Sequence, residues 1–93
     1  MKAYGNGVLV VYDTLIEAVL DNKMDPYEMS KTAVLLYPYA SDLLDEEATE
    51  AIRDFKIGCE DFPFEGKLDA PFEDLCKETL RKIRPLWVKV NSA

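Results

Sequence analysis

Histidine is missing from all 93 residues of this chain. Its absence removes the side chain that most often serves as general base, metal ligand or partner of a catalytic serine or cysteine. The serines stand in no nucleophile motif, and no glycine-rich phosphate-binding pattern is present. Carboxylates spaced four apart, such as Asp13 and Glu17, are common on solvated helix faces. We therefore expect no enzymatic activity, no catalytic residues and no cofactor.

Cysteine is also scarce. Cys59 and Cys76 are too few for a disulfide framework, and without histidine they form no metal-binding motif. Both fall on apolar stripes of predicted helices. We expect reduced, buried thiols that pack as small hydrophobic groups, and no metal site.

Long hydrophobic runs are lacking. Runs such as Val8–Tyr12 contain only five residues, whereas a membrane-spanning helix needs about 20. The first seven residues have neither the hydrophobic stretch nor the cleavage site of a secretory signal. The sequence therefore predicts a soluble, cytoplasmic protein that does not enter a membrane.

The composition that remains is globular, with 48% hydrophobic and 31% charged residues. A length of 93 residues predicts one domain, spanning residues 1–93. The net charge is −7, with 17 acids and 6 bases in residues 1–74 but one acid and five bases in residues 75–93. Since phosphate contacts need clustered Lys and Arg, this acidic body argues against direct nucleic-acid binding.

Residues 8–21 carry the first helical pattern. At 100° per residue their apolar side chains fill about half the circumference, and Asp13, Thr14, Glu17 and Asp21 gather opposite. The β-branched residues at 8–12 also suit a strand, but a strand leaves the polar positions unexplained, so helix is favoured. Such a broad apolar arc places this helix at the centre of the core or against a partner.

The second pattern starts at Asp25, which can cap a helix with Pro26 at its first position. Pro38 is expected to end or kink this helix, because its ring clashes with the carbonyl four residues back. Residues 37–41 are then a corner. The apolar positions of this helix are Met29, Ala33, Leu36 and Tyr37.

A third helix is predicted from Asp42 or Asp45 to Ile57, with Gly58 as its C-terminal stop. Its narrow apolar face consists of Ala48, Ile52, Phe55 and Cys59.

A loop follows over residues 60–69, and a fourth helix opens at Asp69 and ends at Pro85, with residues 86–90 as a tail. Its apolar positions are Phe72, Leu75, Cys76, Leu80 and Ile83. The predicted fold is all-α: a small compact bundle of three to four helices with a short C-terminal tail.

Residues 14–59 resemble a phage protein family of the tail-assembly chaperone-like type. The resemblance rests on an apolar helix ending in an acidic turn at Asp21, an Asp-Pro-x-Glu helix start running into Leu36-Tyr37-Pro38, and a Glu-Ala-x-x-Ala-Ile-x-x-Phe helix closing on Gly58-Cys59. It covers about half the chain. It implies a helical, non-enzymatic protein that keeps a hydrophobic tail component soluble before assembly, and it supplies no catalytic residues.

Function is therefore expected to lie in binding another protein, with self-association as a second option. Aromatic residues near helix ends and loops are typical of interfaces, and an acidic helix start could instead imitate nucleic-acid phosphate. The alternative function is thus a small acidic inhibitor that occludes a nucleic-acid-binding enzyme of a host. The sequence leaves open which surface binds. The candidates are Tyr37, Tyr39, Phe62, Phe64 and Trp87 on the aromatic side, and Asp45, Glu46, Glu47 and Glu50 on the acidic side.

Overall fold

Four α-helices make up most of the described chain. The computed structural model describes residues 5–92, with side chains from residue 7 to residue 87. Residues 1–4, for which the sequence predicts no secretory signal, lie outside this range. All regular structure within it is helical, which confirms the predicted all-α bundle. The helices are α1 Gly5–Leu20, α2 Pro26–Leu43, α3 Glu46–Glu60 and α4 Ala70–Ser92.

The helix prediction for residues 8–12 is confirmed, since they lie inside α1. Beyond Leu20 the chain closes the helix with two hydrogen bonds: the Lys23 N–H donates to the Ala18 carbonyl at 2.8 Å, and the Asn22 N–H donates to the Val19 carbonyl at 3.1 Å. Asn22 has φ 59°, the left-handed conformation that this pattern requires. α1 therefore ends in a Schellman motif with asparagine at the position that glycine usually occupies.

Aspartates cap the other three helices. Asp25 accepts a hydrogen bond from the Glu28 N–H at 3.1 Å, Asp45 from the Ala48 N–H at 3.1 Å, and Asp69 from the Phe72 N–H at 2.9 Å. Each aspartate satisfies one of the unpaired N–H groups of a first turn. Asp45, not Asp42, is thus the start of α3.

The predicted corner after Pro38 is wrong, because α2 continues through this proline to Leu43. Pro38 lies on the solvent side of the helix. A helical proline leaves the carbonyl four residues earlier without its N–H donor, and at an exposed position water can hydrogen-bond that carbonyl instead. On the other side of the chain Ala40 and Leu44 are buried, and their burial offsets the cost of the missing bond.

The predicted end at Pro85 is wrong for the same reason. Pro85 is exposed, and α4 runs through it to Ser92, so the expected tail is helical. Ile83 lies fully buried just before it. Packing of the inner face therefore allows α4 to continue through a residue that locally disfavours helix.

Gly58 does not stop α3 either, since the helix continues to Glu60. A Cβ atom at Gly58 would lie 2.3 Å from Cδ2 of Leu75 in α4. The Leu75 side chain packs over this glycine, so a side chain at Gly58 would require that methyl group to shift, and the helix ends two residues later.

The helices enclose one shared core. Each packs on the next along the chain, and α4 returns to pack on α1. Tyr12 lies at the centre: its ring meets Phe55 edge-on at a centroid distance of 6.4 Å, and its hydroxyl donates to the Ala33 carbonyl at 2.9 Å. Burial raises the pKa of Tyr12. The predicted apolar faces of α3 and α4 point into this core, as do the thiols of Cys59 and Cys76.

A buried carboxylate joins the two ends of the chain. Asp13 is only 5% exposed. Its oxygens accept hydrogen bonds from Nε and Nη2 of Arg84 at 3.0 and 3.1 Å and from Nε1 of Trp87 at 2.9 Å. Glu17 accepts a further bond from Arg84 at 3.2 Å. This cluster fixes α4 beyond its midpoint against α1.

Among the described residues, no helix combines the length and the hydrophobicity that crossing a bilayer requires.

Candidate protein-binding surface

α2 is apolar on two sides. Its inner side buries Met29, Ala33 and Ala40 in the core. On the opposite side Leu35 and Tyr39, one turn apart, are 67% and 69% exposed. A surface helix ordinarily presents charged or polar residues on its outer side. Because Leu35 and Tyr39 are exposed there, they do not contribute to the packing of the bundle.

The exposed apolar residues belong to a longer row at i, i+4 spacing, which we call the α2 ridge: Tyr27, Lys31, Leu35 and Tyr39. The row is roughly 18 Å long at a rise of about 1.5 Å per residue. Rows of this spacing are the ridges that fit between side chains of a second helix. The ridge therefore has the form of a helix-packing surface with no helix of the described chain upon it.

The loop between α3 and α4 extends this surface at the Tyr27 end. Phe64 is 74% exposed, and its ring meets that of Tyr27 edge-on at 5.3 Å between centroids. Nζ of Lys31 lies 5.9 Å from the Tyr27 centroid. Tyr27 is half-buried. Phe64 thus continues the apolar surface of the ridge by direct contact.

Two of the predicted aromatic site residues, Tyr37 and Phe62, are half-buried, and Phe62 lines a cleft with Tyr27 and Lys31. Tyr37 is half-buried, with Nζ of Lys56 5.1 Å from its ring centroid. Phe62 is half-buried and packs at 4.5 Å on Phe72 of α4. Both border the core. Of the four aromatics from residues 37 to 64 singled out in the sequence, only Tyr39 and Phe64 are exposed contact candidates.

Trp87 corrects the expectation that it follows the last helix as a tail residue. It lies within α4, is half-buried, packs against the core and donates to Asp13. Its indole N–H is satisfied inside the protein. Trp87 therefore contributes to the junction of α1 with α4.

The acidic candidates divide by role. Asp45 is the cap of α3, and the backbone hydrogen bond from Ala48 lowers the pKa of its carboxyl. Glu46, Glu47 and Glu50 are exposed, and none makes an ion pair with a described residue. Glu47 and Glu50 border a cleft of about 230 Å³ between α3 and α4, lined also by Ala51, Asp54, Lys82 and Leu86.

Carboxylates follow both ends of the α2 ridge in the sequence. Asp42 lies one turn beyond Tyr39 on the same side of α2, and Glu46 opens α3 four residues later. At the other end the exposed Glu65 follows Phe64 directly. The α2 ridge with Phe64 thus includes two of the five aromatic candidates, Tyr39 and Phe64, and Glu65 shares a cleft with the cation Lys67.

Leu35 and Tyr27 were not among the binding residues predicted from the sequence. The i, i+4 spacing of the ridge is visible in the sequence. The same helix also carries Met29, Ala33 and Ala40 at helical spacing, and only their burial in the structure distinguishes the two faces. Among the described residues no group of three or more Cys, Asp and Glu is placed to hold a metal ion.

The class that the fold defines is a four-helix, all-α bundle. No family model, curated protein or solved structure matches this chain.

Proposed function

We propose that this protein is a non-enzymatic protein-binding module and that the α2 ridge is its contact surface. The observation that carries the proposal is the pair Leu35 and Tyr39, both about two-thirds exposed on a helix whose opposite face is already buried. Exposed aromatic and aliphatic side chains grouped on a rigid helix are typical of the centres of interfaces. A finer form of the proposal follows the resemblance of residues 14–59: an assembly chaperone of phage type that covers an apolar segment of its partner.

The test compares capture of partners by matched variants. Leu35→Ala and Tyr39→Ala remove exposed apolar area from the ridge, and Val11→Ala removes it from α1, where Val11 is 46% exposed. A true partner, identified by mass spectrometry from host lysate, should bind the wild type and Val11→Ala alike. Its affinity for each ridge variant should fall on the order of 30-fold, the loss of a hot spot of about 2 kcal/mol. Equal binding by all three variants would remove the ridge as the contact surface.

A second candidate function is the acidic inhibitor, favoured by the exposure of Glu46, Glu47 and Glu50 without ion pairs among the described residues. Replacing all three with glutamine removes charge while nearly preserving shape. An inhibitor that imitates phosphate would lose affinity and salt dependence in this triple variant and would tolerate Tyr39→Ala. A chaperone-like partner would show the reverse order of losses.

A further inference from the structure

We infer that a partner on the α2 ridge anchors itself by a tyrosine side chain, which enters a cleft beside the ridge and hydrogen-bonds the Ser30 hydroxyl. This rests on the proposed function, because it takes the ridge as the surface that a partner covers. It goes further by assigning a residue type of the partner and the site that receives it. We call this site the Ser30 cleft.

The Ser30 cleft lies between α2 and the end of α3. It measures about 290 Å³ and is lined by Tyr27, Ser30, Lys31, Val34, Cys59, Glu60 and Phe62. Tyr27 and Lys31 also belong to the ridge, so the cleft opens beside the proposed contact surface. Ser30 and Cys59 are buried, whereas the other lining residues are half-buried or exposed. Ser30 and Cys59 therefore form the floor of the cleft.

The Ser30 hydroxyl differs from the other serine and threonine hydroxyls with described side chains. Those hydroxyls each donate to a backbone carbonyl, and they belong to Thr14, Thr32, Ser41, Thr49 and Thr79. Ser30 is 2% exposed, and its Oγ makes no hydrogen bond with any described residue. A buried hydroxyl without a partner lowers the stability of a fold. A ligand that supplies the missing bond gives this hydroxyl a function.

Cys59 does not take the place of that ligand. Burial raises the pKa of the Cys59 thiol, and the nearby Ser30 hydroxyl opposes this effect. The two groups are thus close, but their contact lacks the geometry of a hydrogen bond. A thiol is also only a weak acceptor. The floor of the cleft therefore retains one strong hydrogen-bonding group for a ligand.

The lining of the cleft suits a neutral ring with a polar end. Tyr27, Val34 and Phe62 supply aromatic and aliphatic walls, which pack well against an aromatic ring. The two charged residues of the lining, Lys31 and Glu60, are opposite in sign. An anion or a cation in the cleft therefore meets like charge as well as opposite charge, whereas a neutral group meets neither penalty.

Tyrosine meets these requirements because its hydroxyl stands at the far end of its ring. A tyrosine ring that enters between the walls carries its polar atom to the floor, whereas the indole N–H of tryptophan lies on the side of its ring system. The core of this protein already holds such an arrangement. The Tyr12 ring packs edge-on against Phe55 of α3 while its hydroxyl donates to the Ala33 carbonyl of α2 at 2.9 Å.

Entry of the ring requires a side chain of the cleft to move, because the Ser30 hydroxyl is out of reach of water in the free protein. Phe62 lies on the loop after α3, whereas the other lining residues lie on helices. It is half-buried and packs on Phe72 at 4.5 Å between ring centroids. We expect rotation of the Phe62 side chain, which moves no helix, to open the floor.

The test measures the binding of four small probes to the full chain. They are p-cresol, the side chain of tyrosine; toluene, the same ring without the hydroxyl; skatole, the side chain of tryptophan; and p-toluate, which carries a carboxylate instead. Titrations are followed by amide and aromatic chemical shifts. Ser30→Ala removes the hydroxyl, and Tyr39→Ala is the matched control on the ridge outside the cleft. Circular dichroism and urea midpoints verify that both variants fold.

We expect p-cresol to bind the wild type about fivefold more tightly than toluene, the gain from one hydrogen bond. Shifts should centre on residues 27–34 and 59–62, including the Phe62 ring. In Ser30→Ala the preference for p-cresol should vanish, and the urea midpoint should rise because an unpaired buried hydroxyl is removed. Tyr39→Ala should bind p-cresol as the wild type does. A partner captured through the ridge should bind Ser30→Ala about fivefold more weakly.

Other results overturn the inference in distinguishable ways. A lower urea midpoint in Ser30→Ala shows that the hydroxyl is already bonded in the free protein. An unchanged preference for p-cresol in that variant, or a captured partner that binds it as tightly as the wild type, shows that Ser30 does not receive the anchor. Tightest binding of skatole or p-toluate replaces tyrosine by tryptophan or by an anion, and the lack of saturable shifts at the cleft refutes the site.

Failure of the Ser30 cleft is separate from failure of the proposed function. Loss of a captured partner in Leu35→Ala and Tyr39→Ala upholds the ridge as the contact surface, whatever the probes do. Equal capture by the ridge variants removes the ridge. Binding of p-cresol that still depends on Ser30 would then mark a site for phenols that no ridge partner uses, and the anchor assignment falls with the ridge.

Discussion

Replacing Asp13 with alanine should lower the free energy of unfolding by about 2 kcal/mol. The carboxylate is 5% exposed and accepts three hydrogen bonds from two residues of α4. Losing the Trp87 bond to a charged acceptor accounts for about 1.5 kcal/mol. The Arg84 pair adds about 1 kcal/mol, because the arginine side chain is 43% exposed and can return to water. The better helix propensity of alanine returns about 0.5 kcal/mol.

Glu17→Ala is the matched control, since Glu17 lies one turn away on α1 and bonds the same guanidinium at 3.2 Å. Its side chain is 57% exposed, so its loss should cost less than about 0.5 kcal/mol. Urea unfolding is followed by the fluorescence of the single tryptophan and, in parallel, by circular dichroism, and the two transitions should coincide.

A double-mutant cycle with Arg84→Ala separates the ion pair from other effects. We expect a coupling of about 1 kcal/mol for Asp13 with Arg84 and less than about 0.5 kcal/mol for Glu17 with Arg84. If Asp13→Ala lowers the free energy of unfolding no more than Glu17→Ala does, the burial of the Asp13 carboxylate does not determine its contribution to stability. The cluster would then not be what holds α4 on α1.

Three further predictions concern local features. Asn22→Gly should raise stability by about 0.5–1 kcal/mol, seen as a higher urea midpoint, because φ is 59° there; an unchanged or lower midpoint would contradict this. Pro38→Ala should stabilise by about 1–3 kcal/mol by restoring a helical hydrogen bond, whereas a loss would show that the proline bend is needed for packing. Burial raises the pKa of the Cys59 and Cys76 thiols to about 12 from 9.0. The folded state therefore holds protons that the unfolded state releases, so stability should fall from about pH 9 towards pH 12. A Cys59→Ala, Cys76→Ala variant should show a shallower decline, and native thiol labelling should be slow; fast labelling would indicate exposed thiols.

Helix starts and apolar faces were predictable because their causes are local. A capping aspartate bonds a backbone N–H three residues away, as Asp25 and Asp69 do. The face of α3 with Ile52 and Phe55 repeats at helical spacing and is buried as expected. Neither feature needs a contact from a distant part of the chain.

The local signals for helix ends were misleading where packing opposed them. Pro38 and Pro85 are breakers by chemistry, yet both are exposed in helices whose inner faces are buried. Glycine commonly stops a helix, but Gly58 lies inside α3, where the Leu75 side chain of α4 packs over it. At both prolines the burial of the inner helix face outweighs a penalty of about 3 kcal/mol that proline carries in a helix interior.

The sequence by itself determined that this chain is helical, acidic and without histidine, because propensity, periodicity and charge are properties of neighbouring residues. Only the tertiary structure decided that Asp13 meets Arg84, 71 positions away. It also decided which apolar face of α2 stays in water. Met29 and Leu35 are both large apolar residues. α2 packs on α1 and α3 with Met29 buried and Leu35 exposed. The candidate binding surface is the apolar face that the core did not bury.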